Sequence, residues 1–229
     1  MRNLIFSFSL IILSGITIAQ SGSVSKYFEG IVEYEIKGES YMQGVSNNEI
    51  RERIGATMRL YFKDGNYMRE YVDGAGYTLR KSFYLKDKNM MYDHNVIASP
   101  DTLYLMDPEE AIYNSYKIES GKTEKVLNYE CRSSVISTKY FFPILSDTGS
   151  ITMTYYFASG LPVNPEWHKD IYIWKDVIKE HKSIAVKFIE DDAFFFKQTF
   201  TATKVLWQPV PDETFKIDPK LIQVKAPKL

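Results

Sequence analysis

The sequence predicts a mainly β fold built on one strongly curved antiparallel sheet, with one to three short helices covering its concave face. Three observations carry that expectation. Short runs of alternating apolar and polar residues recur about every ten residues between turn signals. Aromatic residues make up 15% of the chain, with 17 Tyr and 14 Phe, types that suit a half-buried pleated surface. One stretch alone has a clear helical apolar period. A long meander with a single helix favours a twisted open sheet over a two-sheet sandwich. The concave face of such a sheet must be filled by a helix, by its own aromatics or by a ligand.

Residues 1–19 read as a secretory leader. Arg2 precedes the apolar run Leu4 to Leu13, and Thr17-Ile18-Ala19 supplies a small-residue cleavage site. Ser7, Ser9, Ser14, Gly15 and Thr17 dilute the run below the length of a membrane span. Residues 20–229 are then expected as one exported domain, periplasmic or extracellular, with no further span. No cysteine follows the expected cleavage point, so lipid attachment there is excluded, and the single Cys131 cannot form an internal disulfide. Stability must therefore come from a hydrophobic core. The net charge of -1 gives no electrostatic case for nucleic acid or an acidic membrane surface.

The first strand runs from Phe28, where Val32, Tyr34 and Ile36 alternate with Glu33, Glu35 and Lys37. Gly38 to Gly55 is ambiguous: Asn47 can cap a short helix carrying Ile50 and Ile54, and Ile50, Glu52 and Ile54 also fit an edge strand. Met58, Leu60 and Phe62 share a face, and Asp64-Gly65 signals a hairpin into Asn66 to Val72. Tyr77, Leu79, Phe83 and Leu85 form the next face, followed by shorter strands at Met90 to Asp93 and Thr102 to Met106. Tyr113 to Glu119, Glu124 to Leu127 and Tyr129 to Ser137 continue the meander. Within Gly121 to Val135 two strands meet at Asn128, a residue that tolerates left-handed backbone. Ile151, Met153, Tyr155 and Phe157 precede Pro162 and Pro165, which force an extended connection.

The helix is expected over Glu166 to Lys179, where Trp167, Ile171, Trp174 and Ile178 recur at spacings of four, three and four. Ile184, Val186 and Phe188 mark a strand. Phe194, Phe196, Phe200 and Ala202 read as the inner face of Ala193 to Val205, and Pro209 to Asp218 leaves through a proline-rich tail.

Catalytic chemistry finds little support. His94, His168 and His181 show no metal-ligand spacing, and no cofactor is implied. Glu109-Glu110 and Asp191-Asp192 sit beside turns, where solvated charge is normal. Ser159 lacks the glycine two residues earlier that a nucleophile elbow requires. Cys131 is either a reactive thiol or intermolecular disulfide partner or, the favoured reading, a small buried strand residue with Glu130 and Arg132 facing away. What remains is the aromatic inner face: Tyr155, Phe157, Phe188, Phe194, Phe196 and Phe200, under Trp167 and Trp174, beside Met58, Leu60 and Phe62. It is either ordinary core or a cavity for an apolar ligand.

Lys125-Val126-Leu127-Asn128-Tyr129-Glu130-Cys131-Arg132 resembles the pattern Lys-x-Ile-x-Gly-Tyr-x-Cys-x-Lys of secreted Bacteroidetes proteins that include the GLPGLI family. Gly160-Leu161-Pro162, the opening Phe28 to Tyr34 and the closing Val210 to Phe215 are similar to the same group. Asn128 stands where the pattern has glycine, and the Gly-Leu-Ile half of the name motif is missing. The resemblance implies a half-open β-barrel similar to the carriers LolA and LolB, which hold acyl chains between a curved sheet and helices. Three functions follow in order of expectation. The first is a non-enzymatic carrier of a lipid or other apolar ligand, with the tryptophan helix as lid. The second is an interaction module of the cell envelope with a filled core and a protein partner, and the third is a hydrolase.

Overall fold

A computed structural model describes residues 26–110, 115–142 and 147–226; the expected leader lies outside them. The elements are β1 (Gly30–Ser40), α1 (Asn47–Ile54), β2 (Thr57–Lys63), β3 (Asn66–Val72), β4 (Thr78–Leu85), β5 (Met90–Asn95), β6 (Thr102–Met106), β7 (Tyr116–Val126), β8 (Tyr129–Phe142), β9 (Asp147–Pro162), α2 (Trp174–His181), β10 (Ser183–Asp192), β11 (Phe196–Trp207) and β12 (Ile222–Lys225). All the strands join one sheet in the order β12-β6-β5-β4-β3-β2-β1-β11-β10-β9-β8-β7. Strands β1 to β6 form one meander of neighbours and β7 to β11 a second. Antiparallel pairing of β1 with β11 joins the two.

Chain length alone requires this sheet to curve. In a flat sheet β6 and β7 would lie ten strand spacings apart, roughly 48 Å. The link from Met106 to Tyr116 reaches at most about 35 Å when fully extended. The two wings therefore bend toward one another. Both meet the same helical cover: Tyr172 N donates to Pro108 O at 2.7 Å from the β6 side, and Tyr116 OH on β7 donates to Asp176 Oδ2 at 2.8 Å.

Strand alternation assigns the two faces. Val32, Tyr34 and Ile36 of β1, Met58, Leu60 and Phe62 of β2, and Phe188 and Phe200 of β10 and β11 are buried on the concave side, as their periodicity predicts. The Asp64-Gly65 hairpin also forms, with φ of 49° and 85° at the two turn residues and Lys63 opposite Asn66. Gly65 has a further reason to be glycine, since a Cβ there would stand 2.7 Å from Trp167 Cβ. The ambiguous stretch is helix: Ser46, not Asn47, is the cap, in a reciprocal capping box with Glu49. Ile50 of that helix seats on Gly38, where a Cβ would come within 2.6 Å of it.

Three expectations are corrected. The left-handed residue of the β7–β8 hairpin is Leu127 at φ 52°, not Asn128, because a two-residue loop of this kind needs positive φ at its first position. The tail does not simply leave: Val210 and Phe215 fold over the convex side onto Met68, Phe83, Tyr92 and Leu103 as a second core, and β12 pairs parallel with β6. Consequently Phe83 faces this outer core while Tyr84 takes the concave side, and Tyr77 is 70% exposed. Cys131 is fully buried, and burial pushes its thiol pKa up.

Candidate functional site

The concave face is covered by residues 163–182, whose two ends pair with each other where the segment leaves β9 and enters β10: Val163 N donates to Lys182 O at 2.8 Å. The expected continuous helix over Glu166 to Lys179 is broken in two. Asn164 caps a single 3-10 turn, Pro165–His168, and α2 starts only at Trp174. The break has a local cause. Tyr172 N is spent on Pro108 O outside the segment, and Ile173 adopts φ 65°, ψ -50°, a conformation that β-branched residues avoid. Ile171, Ile173, Val177 and Ile178 are nonetheless buried against the sheet.

Beneath the cover, cross-strand neighbours place an aromatic row on the sheet. Phe200 of β11 opposes Phe188 of β10, which opposes Tyr155 of β9. Phe188 and Phe200 stack at 4.2 Å with 13° between the planes, Tyr155 and Phe188 at 5.6 Å, and Trp174 meets Tyr155 edge-on at 4.7 Å. Phe157 stacks on His181 at 4.2 Å. Between row and cover lies a cavity of about 80 Å³, lined by Tyr155, Phe157, Trp174 and Phe188 together with Arg69 and His168.

Of the eight aromatics the sequence selects, these four line the cavity. Trp167 packs beside it, on Tyr27 and Phe62 with centroids at 5.1 and 6.1 Å, and Phe200 lies behind Phe188. Phe194 and Phe196 are elsewhere. The alternation that selected Phe194 runs through a turn: Asp192 Oδ1 accepts from the backbone N of Phe194 and Phe195 at 2.9 and 3.2 Å. Phe194 then meets Tyr140 at 6.4 Å, and Phe196 opens β11 opposite Ser40, at the end of that strand remote from Trp207.

Sequence reading passed over the polar members of the lining. Arg69 belongs to the concave row Tyr67, Arg69, Tyr71 of β3, and that alternation was the available signal. Its guanidinium lies 5.1 Å from the Tyr67 ring centroid, and among the described residues it closes no hydrogen bond or ion pair. Glu190, the nearby carboxylate on β10, accepts from Gln198 Nε2 at 3.3 Å; burial raises its pKa against the opposing pull of Arg69 and Arg80. His168, weighed from sequence only as a metal ligand, is 5% exposed and its Nε2 lies 3.0 Å from Gly65 O. A carbonyl only accepts, so Nε2 carries the proton. Burial lowers the ring pKa to about 4, so Nδ1 is a bare acceptor, and among the described residues it has no partner.

A second, polar recess of about 390 Å³ lies beside the C-terminal end of α2, lined by Glu130, Cys131, Arg132, Ser159, Glu180 and His181 among others. His181 Nε2 is 2.7 Å from Ser134 Oγ, the kind of polar convergence a hydrolase would need. Ser134, however, is fully buried and does not border the recess. The pair ties α2 to β8 rather than presenting a nucleophile. Among the described residues no group of three His, Cys, Asp or Glu gathers as a metal site, and no helix is long and apolar enough to cross a membrane.

The class defined so far is an open, curved twelve-stranded sheet with a broken helical cover over an apolar cavity. No family model and no curated protein matches the chain. Among solved structures it is similar to the lipoprotein LppX of Mycobacterium tuberculosis, at 6% identity over 80% of this chain and 89% of that one, with a TM-score of 0.35. It is also similar to LprF of Mycobacterium bovis, at 9% identity over 80% and 88%, with a TM-score of 0.31. Likenesses this loose carry no argument about function. Locally, Phe28 N donates to Pro162 O at 2.6 Å, and Gly160 lies against the Tyr129 ring.

Proposed function

We propose that this chain is an exported, non-enzymatic binding or carrier protein that holds an apolar ligand between the curved sheet and the broken helical cover. The observation that supports it is the cavity: its walls are chiefly aromatic and aliphatic, Arg69 and His168 border it beside Tyr67, and its roof is a segment without strand partners between Asn164 and His181. At about 80 Å³ it is smaller than the roughly 300 Å³ at which ligand pockets begin, so loading a chain-length ligand requires the roof to move. The break at Ile173 is where it bends. Mass spectrometry of organic extracts of protein purified from its native envelope tests the reading. A copurifying apolar molecule supports it; an extract without one, from protein that also leaves a hydrophobic fluorescent probe dark, defeats it.

The small volume favours one competing reading, an interaction module of the cell envelope whose core is essentially filled. That reading expects a protein partner in crosslinks made on intact envelope and no ligand.

A further inference from the structure

The two polar groups in the cavity wall make opposite demands. Arg69 offers only donors, and a guanidinium bordering an apolar cavity gains from an acceptor placed against it. His168 offers only an acceptor, because its Nε2–H is committed to Gly65 O. Both flank one ring: the Arg69 guanidinium carbon is 5.1 Å and the His168 ring 6.3 Å from the Tyr67 centroid. Both also line the same cavity, so a head group carrying two polar functions and seated beside Tyr67 can address each of them. A plain hydrocarbon would leave both unsatisfied in a dry site, where each unmade hydrogen bond has its full cost. A carboxylate would satisfy Arg69, yet it would bring only acceptors to the His168 lone pair and a like charge toward Glu190, which interacts with the same arginine. A neutral head bearing a carbonyl and a hydroxyl answers all three groups.

We infer that the cavity selects a single-chain amphiphile with an uncharged head, whose carbonyl oxygen accepts from the Arg69 guanidinium and whose hydroxyl donates to His168 Nδ1. This rests on the cavity being a ligand site and adds which head group it takes. The apolar chain lies along Tyr155, Phe157 and Phe188, under Trp174.

The test uses residues 20–229 and three probes of equal chain length: 1-monopalmitoylglycerol, methyl palmitate and palmitate, each titrated at pH 8 by tryptophan fluorescence and calorimetry. The monoglyceride should bind about tenfold tighter than the methyl ester, which lacks the donor, and tighter than the anion. His168→Phe should erase the gap between monoglyceride and ester while leaving ester binding in place. Arg69→Met should weaken both by a similar factor. Equal binding of monoglyceride and ester to the unaltered protein overturns the inference without any variant. So does palmitate binding tightest, or a gap that survives in a folded His168→Phe protein. If none of the three binds, the ligand-site reading falls with it; if the ester binds as well as the monoglyceride, only the head-group assignment falls.

Discussion

The hairpin of β3 and β4 is packed on both sides, and its two sides are built differently. On the convex side Met68 and Phe83 are sealed by Val210 and Phe215 from the tail, with Tyr92 and Leu103 completing a cluster of buried apolar side chains. On the concave side the neighbouring residues Tyr67 and Tyr84 stack at 5.5 Å, and beyond them lie the cavity, a guanidinium without a bonded partner among the described residues and an orphaned histidine nitrogen. Interiors are ordinarily close-packed and their polar atoms paired. One strand pair thus shows what this chain does when packing is the only requirement, and how it departs from that elsewhere. That departure coincides with the candidate site.

The largest effect separating the faces is expected from Leu103→Ala. This side chain is fully buried in the convex cluster, and its truncation should cost about 3–4 kcal/mol in urea unfolding. Ile178→Ala, beside existing space under the cover, should cost less, about 2 kcal/mol. Equal losses would show that the two cores are packed alike. Next comes pH. The folded pKa of His168 is depressed to about 4 from 6.5, so the unfolded chain binds a proton first as pH falls. Stability should decline between about pH 6.5 and 4, by roughly 3 kcal/mol for this group. His181, depressed by burial, acts in the same direction, and Glu190, raised by burial, opposes it. The difference between the wild-type and His168→Gln stability profiles isolates the term; parallel profiles would refute it.

A smaller effect tests whether the concave space is functional. Ala185→Leu fills the cavity and should raise stability by up to about 2 kcal/mol while abolishing hydrophobic probe binding. Retained binding would place the probe elsewhere. The smallest concerns how the convex cover is held. Lys63 Nζ bonds Asp212 at 2.7 Å, but Asp212 is 78% exposed, so Lys63→Ala should leave the unfolding midpoint within error. A clear drop would mean that the tail depends on this tie more than on Phe215.

How much the sequence disclosed follows from the range of the interactions involved. Strand faces of β1 and β2 and the Asp64-Gly65 turn were legible because both are set by neighbouring residues. The helix at Asn47 was within reach through the Ser46-x-x-Glu49 box, which competed with an equally good strand period. Phe194 was misplaced because two-residue alternation carries on through a turn capped by Asp192, a bond made by a side chain and invisible to periodicity, whereas Phe196 keeps the alternation of Phe200 and misses the cavity by its distance along β11. The split of the tryptophan helix depends on Pro108, some sixty residues earlier in the chain. The outer core and β12 depend on the tail returning across the first meander to the far side of β6. The site's polar pair was missed for a related reason: Arg69 and His168 are ordinary residues until the Gly65 carbonyl fixes one and the curvature isolates the other.

The junction of β1 with β11 has a consequence for how the molecule assembles. Every other antiparallel pairing joins strands adjacent in sequence, so each meander can zip up locally with small loop-closure entropy. The β1–β11 seam instead pairs residues as distant as Gly30 and Trp207. Contacts of such separation dominate folding times in sheet proteins. The two half-sheets are therefore expected to form first, with docking along this seam, together with the return of the tail to β6, as the slower step. Until it occurs, neither wing has a completed cavity to fill.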